Sequence, residues 1–123
     1  MLKEAFLFKV LSDQTRLRLI SILLYNGETC VCRLAKALNE PDFKISRHLG
    51  VMRSAGIVKA RREGTWMHYR LVEPRSTFEQ SYREFLRKGM ENNLTLKKDL
   101  QRLSRASCSD AGHPPRRGTS KSA

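Results

Sequence analysis

TCVCRLAKALNEPDFKISRHLGVMRSAG, residues 29–56, decides the fold. Apolar spacing divides it into two short amphipathic segments. In 29–39, Val31, Leu34, Ala35 and Leu38 fall on one helical face, with Thr29 as N-cap and Asn39 as the stop before Pro41. In 42–56, Asp42 is placed to start a helix, Ile45, Leu49 and Met52 face inward, and Gly56 closes it. The break at Asn39-Glu40-Pro41 leaves room only for a tight turn. The pattern predicts a helix-turn-helix.

The flanks extend it. Leu2, Phe6 and Val10 share one side of a helix over 2–11, and Leu17, Ile20, Leu23 and Leu24 mark a second that starts at Ser12 or Asp13 and stops at Asn26-Gly27. Downstream, 57–72 is rich in β-branched and aromatic residues around a Glu63-Gly64 turn, which predicts a β-hairpin. The chain is therefore expected to be mostly α with one small hairpin: a winged helix-turn-helix. Phe78, Tyr82, Leu86, Met90, Leu94, Leu100 and Leu103 then predict a helix over about 75–104, some 45 Å long at ~1.5 Å per residue. A stripe of that length packs most simply against its own copy, so a homodimer through the terminal helices is expected; folding back over its own domain is the alternative. Residues 1–104 read as one domain and 105–123 as a flexible basic tail carrying Cys108.

The net charge of +12 favours a polyanionic partner. The tail holds four basic residues against one acid, so +9 belongs to the domain. With Ile45, Leu49 and Met52 inward, the second helix presents Lys44, Ser46, Arg47, Gly50 and Arg53, with His48 beside the buried row. Arg47 suits a bidentate contact to guanine and Lys44 a phosphate, while Ser46 and Gly50 let the backbone come close to DNA. Lys59, Arg61, Arg62 and Arg70 crowd the hairpin, as a wing that touches phosphates requires. A merely solvated cationic face is the plainer reading. No phosphate loop, paired carboxylates or nucleophile-and-base pattern is present, so no enzyme and no catalytic residue are expected. No apolar run approaches the ~20 residues of a membrane span, and the first residues lack a signal-peptide core, which predicts a cytoplasmic protein.

Three cysteines cannot close a disulfide framework. Cys30 and Cys32 lie one residue apart at the expected start of the first helix of the pair. Positions i and i+2 of a regular helix point to different sides, so gripping one soft ion would distort that turn. Free N–H groups and the positive dipole end favour thiolate there, and a distortion would be felt where DNA docks. Buried, inert cysteines are the rival reading.

LSDQTRLRLISILL, ETCVCRLAKAL and FKISRHLGVMRSAGIVKARREGTWMHYRL together resemble the ArsR/SmtB family of winged-helix repressors, its arsenic-responsive members in particular, over about residues 5–72. The resemblance implies a homodimer that holds operator DNA and releases it when trivalent arsenic or antimony binds thiolates. Cys30 and Cys32 match the family's paired cysteines, and Lys44, Ser46, Arg47 and His48 fall in its recognition helix. Two departures stand out. Ala35 occupies the position of a frequent third cysteine, and Arg33 replaces an acidic residue. Trivalent arsenic prefers three sulfurs, so either Cys108 completes the site or two thiols serve, as would suit methylarsenite. The expected effector ligands are Cys30, Cys32 and Cys108, and the expected DNA contacts are Lys44, Ser46, Arg47, His48, Arg53, Arg61 and Arg62. A thiol redox sensor, with Cys30 or Cys32 joined to Cys108, is the alternative on the same scaffold.

Overall fold

A computed structural model of the chain describes residues 1–108. Most of the expected tail, 109–123, lies outside the described residues. Helices α1 (Leu2–Leu11) and α2 (Gln14–Asn26) come first, then a short strand β1 (Thr29–Cys30). The helices α3 (Val31–Leu38) and α4 (Asp42–Ser54) follow, then the hairpin β2 (Val58–Glu63) and β3 (Trp66–Leu71). Two more helices, α5 (Thr77–Gly89) and α6 (Leu94–Arg105), complete the order.

Local chemistry explains the boundaries. Asp13 caps α2 by accepting the Arg16 amide at 3.0 Å. Asn39 adopts the left-handed conformation, φ 57° and ψ 47°, that ends α3. Pro41 then serves as N-cap of α4, with no side-chain cap, and Asp42 stands in the first turn rather than capping it. Glu63 pairs with Trp66 across the hairpin, and Gly64, at φ +65°, takes the conformation that this tight turn needs.

Two expectations are corrected. The first concerns 29–39, which is not one helix. Thr29 and Cys30 pair with Tyr69 and His68, giving an antiparallel sheet ordered β1-β3-β2, and the N-cap of α3 is Cys30 rather than Thr29. The buried Thr29 hydroxyl donates to the Gly27 carbonyl and accepts from Asn26, a local arrangement that competes with capping. The second concerns 75–104, which is two helices. Gly89 ends α5, and Asn93 opens α6 by accepting the Leu96 amide at 3.0 Å. The chain turns there and lays α6 across α2 and α3, so the second half of the expected stripe packs on its own domain, while Phe85 of α5 stays exposed.

The core joins every helix. Leu19, Ile20 and Ile22 of α2, Leu34 of α3, and Ile45, Leu49 and Met52 of α4 are sealed from solvent, and Leu96 and Leu103 close the α6 side. The expected apolar side of α1 fares differently. Only Val10 and Leu11 are buried, whereas Leu2, Phe6 and Phe8 are exposed, as is Phe85 of α5.

A wholly buried carboxylate fastens α6. Asp99 accepts from Arg18 Nε and Nη2, at 2.9 and 2.7 Å, and from Arg102 Nη2 at 2.8 Å; Arg102 Nε in turn donates to the Ala37 carbonyl at the end of α3. The Asp99 hydrogen bond, above all, raises the Arg18 guanidinium from its ordinary value. Asp99 is wholly buried while Arg18 and Arg102 reach solvent, so deleting the carboxylate strips charge-assisted hydrogen bonds from part-exposed guanidiniums, at a cost of about 2 kcal/mol. Asp99→Ala should therefore lower unfolding stability by about that amount in urea titrations, while Ser104→Ala on the exposed side of α6 leaves the midpoint unchanged.

Candidate nucleic-acid interface and thiol site

The side chains of α4 sort by helical period. Ile45, Leu49 and Met52 are fully buried, and Ser46, Arg47 and Arg53 stand in solvent on the far side. Lys44 is half-buried, with its Nζ 3.1 Å from Glu40 Oε1 one turn earlier. The hairpin carries Lys59, Arg61 and Arg62 exposed, while Arg70 is half-buried. Among the described residues, Arg47, Arg53, Lys59 and Arg62 have no carboxylate within ion-pair distance. Arg61 differs. Its Nε donates to Glu28 at 2.9 Å and its Nη1 to Glu63 at 3.3 Å, and the Glu28 bond above all raises its guanidinium. This wing cation is already engaged.

His48 points away from the solvent face toward α2. Its Nδ1 accepts from Arg16 Nη1 at 3.2 Å, lies 4.0 Å from Asp13 Oδ1, and is held by an arginine whose Nε donates to the Val10 carbonyl at 2.7 Å. The imidazole thereby adds a polar contact between α4 and the start of α2. Burial, first of all, lowers its pKa from 6.5; Arg16, Arg47 and Lys44 push the same way and Asp13 opposes them.

The thiol site lies where β1 passes into α3. Cys30 is buried opposite His68, whereas Cys32, in the first turn of α3, is half-exposed and bonded to Cys108, with Cα atoms 6.1 Å apart. Cys108 follows α6 by three residues, and Lys36 Nζ holds the adjoining Ser107 carbonyl. The structure thus brings two of the three expected ligands together and leaves Cys30 on the strand. Among the described residues no cluster of three or more His, Cys, Asp or Glu is gathered to hold an ion. Sequence reasoning missed Arg33 as a structural part of this site: nearly buried, it donates from Nη2 to the Leu103 carbonyl at 2.9 Å. Burial lowers its guanidinium and the Cys30 sulfur opposes that shift. An arginine between two cysteines and a helical leucine was the available signal. Asp13 was legible as a helix cap but not as a neighbour of His48, and Glu28 and Arg16 carried no signal beyond their charge.

The comparisons with known proteins agree on a class. Residues 13–60 match the family model described as bacterial regulatory protein, arsR family. The arsenical resistance operon repressor of Escherichia coli is 49% identical over 65 residues, 53% of this chain and 56% of that protein. The chain thus matches little more than half the length of that relative. Among solved structures, reduced HlyU from Vibrio cholerae superposes with a TM-score of 0.64 at 29% identity, covering 73% of this chain and 90% of that one. The AntR antimony-specific transcriptional repressor superposes with a TM-score of 0.58 at 36% identity, covering 66% and 70%.

Since the folded His48 takes its proton at lower pH than the unfolded one, its contribution to stability is complete above about pH 6.5 and is lost as the pH falls below that value. Urea midpoints measured between about pH 8 and pH 5 should fall in the wild type and fall less in His48→Asn, which keeps an acceptor for Arg16. Equal slopes would remove His48 from that role.

Proposed function

The chain belongs to the arsR family of bacterial regulatory proteins, and from that premise we propose an operator-binding homodimer that releases DNA when trivalent arsenic or antimony takes up its thiols. The observation that carries this reading is the position of the sulfurs. Cys30 and Cys32 flank the first residue of the helix-turn-helix, and Cys108 is within bonding distance of Cys32.

Soft thiolates suit a thiophilic ion, and trivalent arsenic exchanges three hydroxyls for three sulfurs with loss of three waters. Only the reduced chain offers all three, because the Cys32–Cys108 bond occupies two. Gathering Cys30 with the others would draw it from its pairing with β3, the strand that also forms the wing. The start of α3 and the wing would move together, and both face DNA in this reading. Arg47 of α4 is assigned to base edges, Ser46 to close approach and Arg53 and Arg62 to phosphates, with Lys44 and Arg61 reaching phosphates by exchanging their partners Glu40 and Glu28. His48 takes part through its contact with α2. Homodimerisation is assigned to the apolar side chains of α1 and α5 left open in one chain, Leu2, Phe6, Phe8 and Phe85. Among the described residues no helix is long and apolar enough to cross a membrane, and a cytoplasmic location accords with the DNA target.

One observation favours a second reading. The bond between Cys32 and Cys108 is itself what a thiol redox sensor would form, and it would fasten the end of α6 to the first turn of α3.

Two measurements follow. Between about 50 and 200 mM salt, affinity for operator duplex should fall at least a hundredfold, and Arg62→Ala should reduce the logarithmic salt slope by about one per wing. Under strict reduction, one equivalent of arsenite per site should release DNA from the wild type and fail to release it from Cys32→Ser. Release by peroxide with none by arsenite would establish the redox reading instead.

A further inference from the structure

The line of α4 that points straight away from its core is not wholly cationic. At 100° per residue, the positions opposite Ile45, Leu49 and Met52 are Phe43, Arg47, Gly50 and Ser54. Phe43 is 69% exposed. The other strongly exposed aromatic rings, Phe6, Phe8 and Phe85, belong to α1 and α5, so Phe43 is not part of that apolar face. Gly50 is equally unexplained by folding. A Cβ built on it meets nothing within 4 Å, and glycine inside a helix costs stability relative to alanine. A ring held out in solvent and a glycine with no packing reason, one on each side of Arg47, have a common explanation in a surface that approaches from outside.

The proposed DNA interface supplies that surface, and this inference rests on that reading. Charge complementarity decides its occupant, since Arg47 and Arg53 share the helix and Lys59 and Arg62 stand on the adjoining hairpin. The turn around Phe43 also carries Glu40 and Asp42, which makes it a poor clamp for phosphate and directs it to bases. A phenyl ring has no donor or acceptor with which to read base edges. In the major groove the C5 methyl of thymine is the apolar feature that it can read.

We propose that Phe43 is a specificity-determining residue that packs on the C5 methyl of a thymine, with Gly50 bare so that α4 seats deeply enough for that contact. Arg47 lies one turn further on, a rise of about 6 Å, so the thymine falls within about two base steps of the guanine assigned to Arg47.

The test begins with selection of binding duplexes from a pool with a randomised core, using the full chain under reduction. On the selected duplex, each thymine is then replaced in turn by deoxyuridine, which removes only the methyl. One thymine per half-site should respond, with affinity falling about fourfold for each lost methyl. Phe43→Ala, at an exposed helical position where folding is checked by circular dichroism, should bind the parent duplex about tenfold more weakly and be blind to that deoxyuridine. Gly50→Ala should raise the melting temperature and yet weaken binding at least tenfold, a divergence that no folding role produces. A flat deoxyuridine scan, or a Phe43→Ala protein that still senses the same methyl, overturns the assignment while leaving the repressor reading intact. Failure of the wild type to enrich any duplex would instead sink that reading and this inference with it.

Discussion

The start of α3 is fastened from two directions, and the remaining structure takes its meaning from that constraint. On one side, Cys30 is the end of β1 and pairs with His68 on the central strand of the sheet. On the other, Cys32 is bonded to Cys108 beyond the end of α6. Two residues of one short segment thus answer to different parts of the fold. The α6 anchor does not slide, because Asp99 grips Arg18 and Arg102, Arg102 holds the Ala37 carbonyl, and Arg33 holds the Leu103 carbonyl. Chemistry at the sulfurs has no slack element in which to dissipate.

The same arrangement reaches the DNA-facing surfaces by short routes. β1 leads through β3 to β2, where Lys59, Arg61 and Arg62 project, and Glu28, two residues before Cys30, already engages Arg61. α3 leads through the Asn39 turn to α4, which joins α2 in the core through Ile45, Leu49 and Met52 and meets it again at the Arg16–His48 contact. With the disulfide formed, the first turn of the eight-residue α3 answers to both tethers; in the reduced chain the pairing of Cys30 with β3 remains, and Cys32 and Cys108 are free to bind.

Much of this was legible in the residues. The periods of Leu34 and Leu38, then of Ile45, Leu49 and Met52, placed both helices of the pair, and Gly64 placed the hairpin turn, because local burial and turn chemistry agree there. What escaped was decided by tertiary competition. Thr29 reads as a cap, but the open edge of β3 takes it into the sheet. The apolar stripe from Phe78 to Leu103 is continuous in period, yet Gly89 and Asn93 break its backbone, and periodicity alone does not weigh a cap against a stripe. The Cys30–Cys32 pair and its meeting with Cys108 were both expected from the residues; which of the two meets Cys108 depends on the fold-back of α6. Phe43 was hidden by its own chemistry, since an apolar residue near a helix start counts toward the core until its exposure is seen.

The central claim is that sulfur chemistry is transmitted by deforming the passage from β1 into α3. Amide hydrogen exchange of the reduced chain, with and without arsenite, tests it directly. The account predicts faster exchange across residues 29–33 and in the β3 amides paired with β1, under conditions where DNA is released. Release of DNA with protection in those segments unchanged would contradict it.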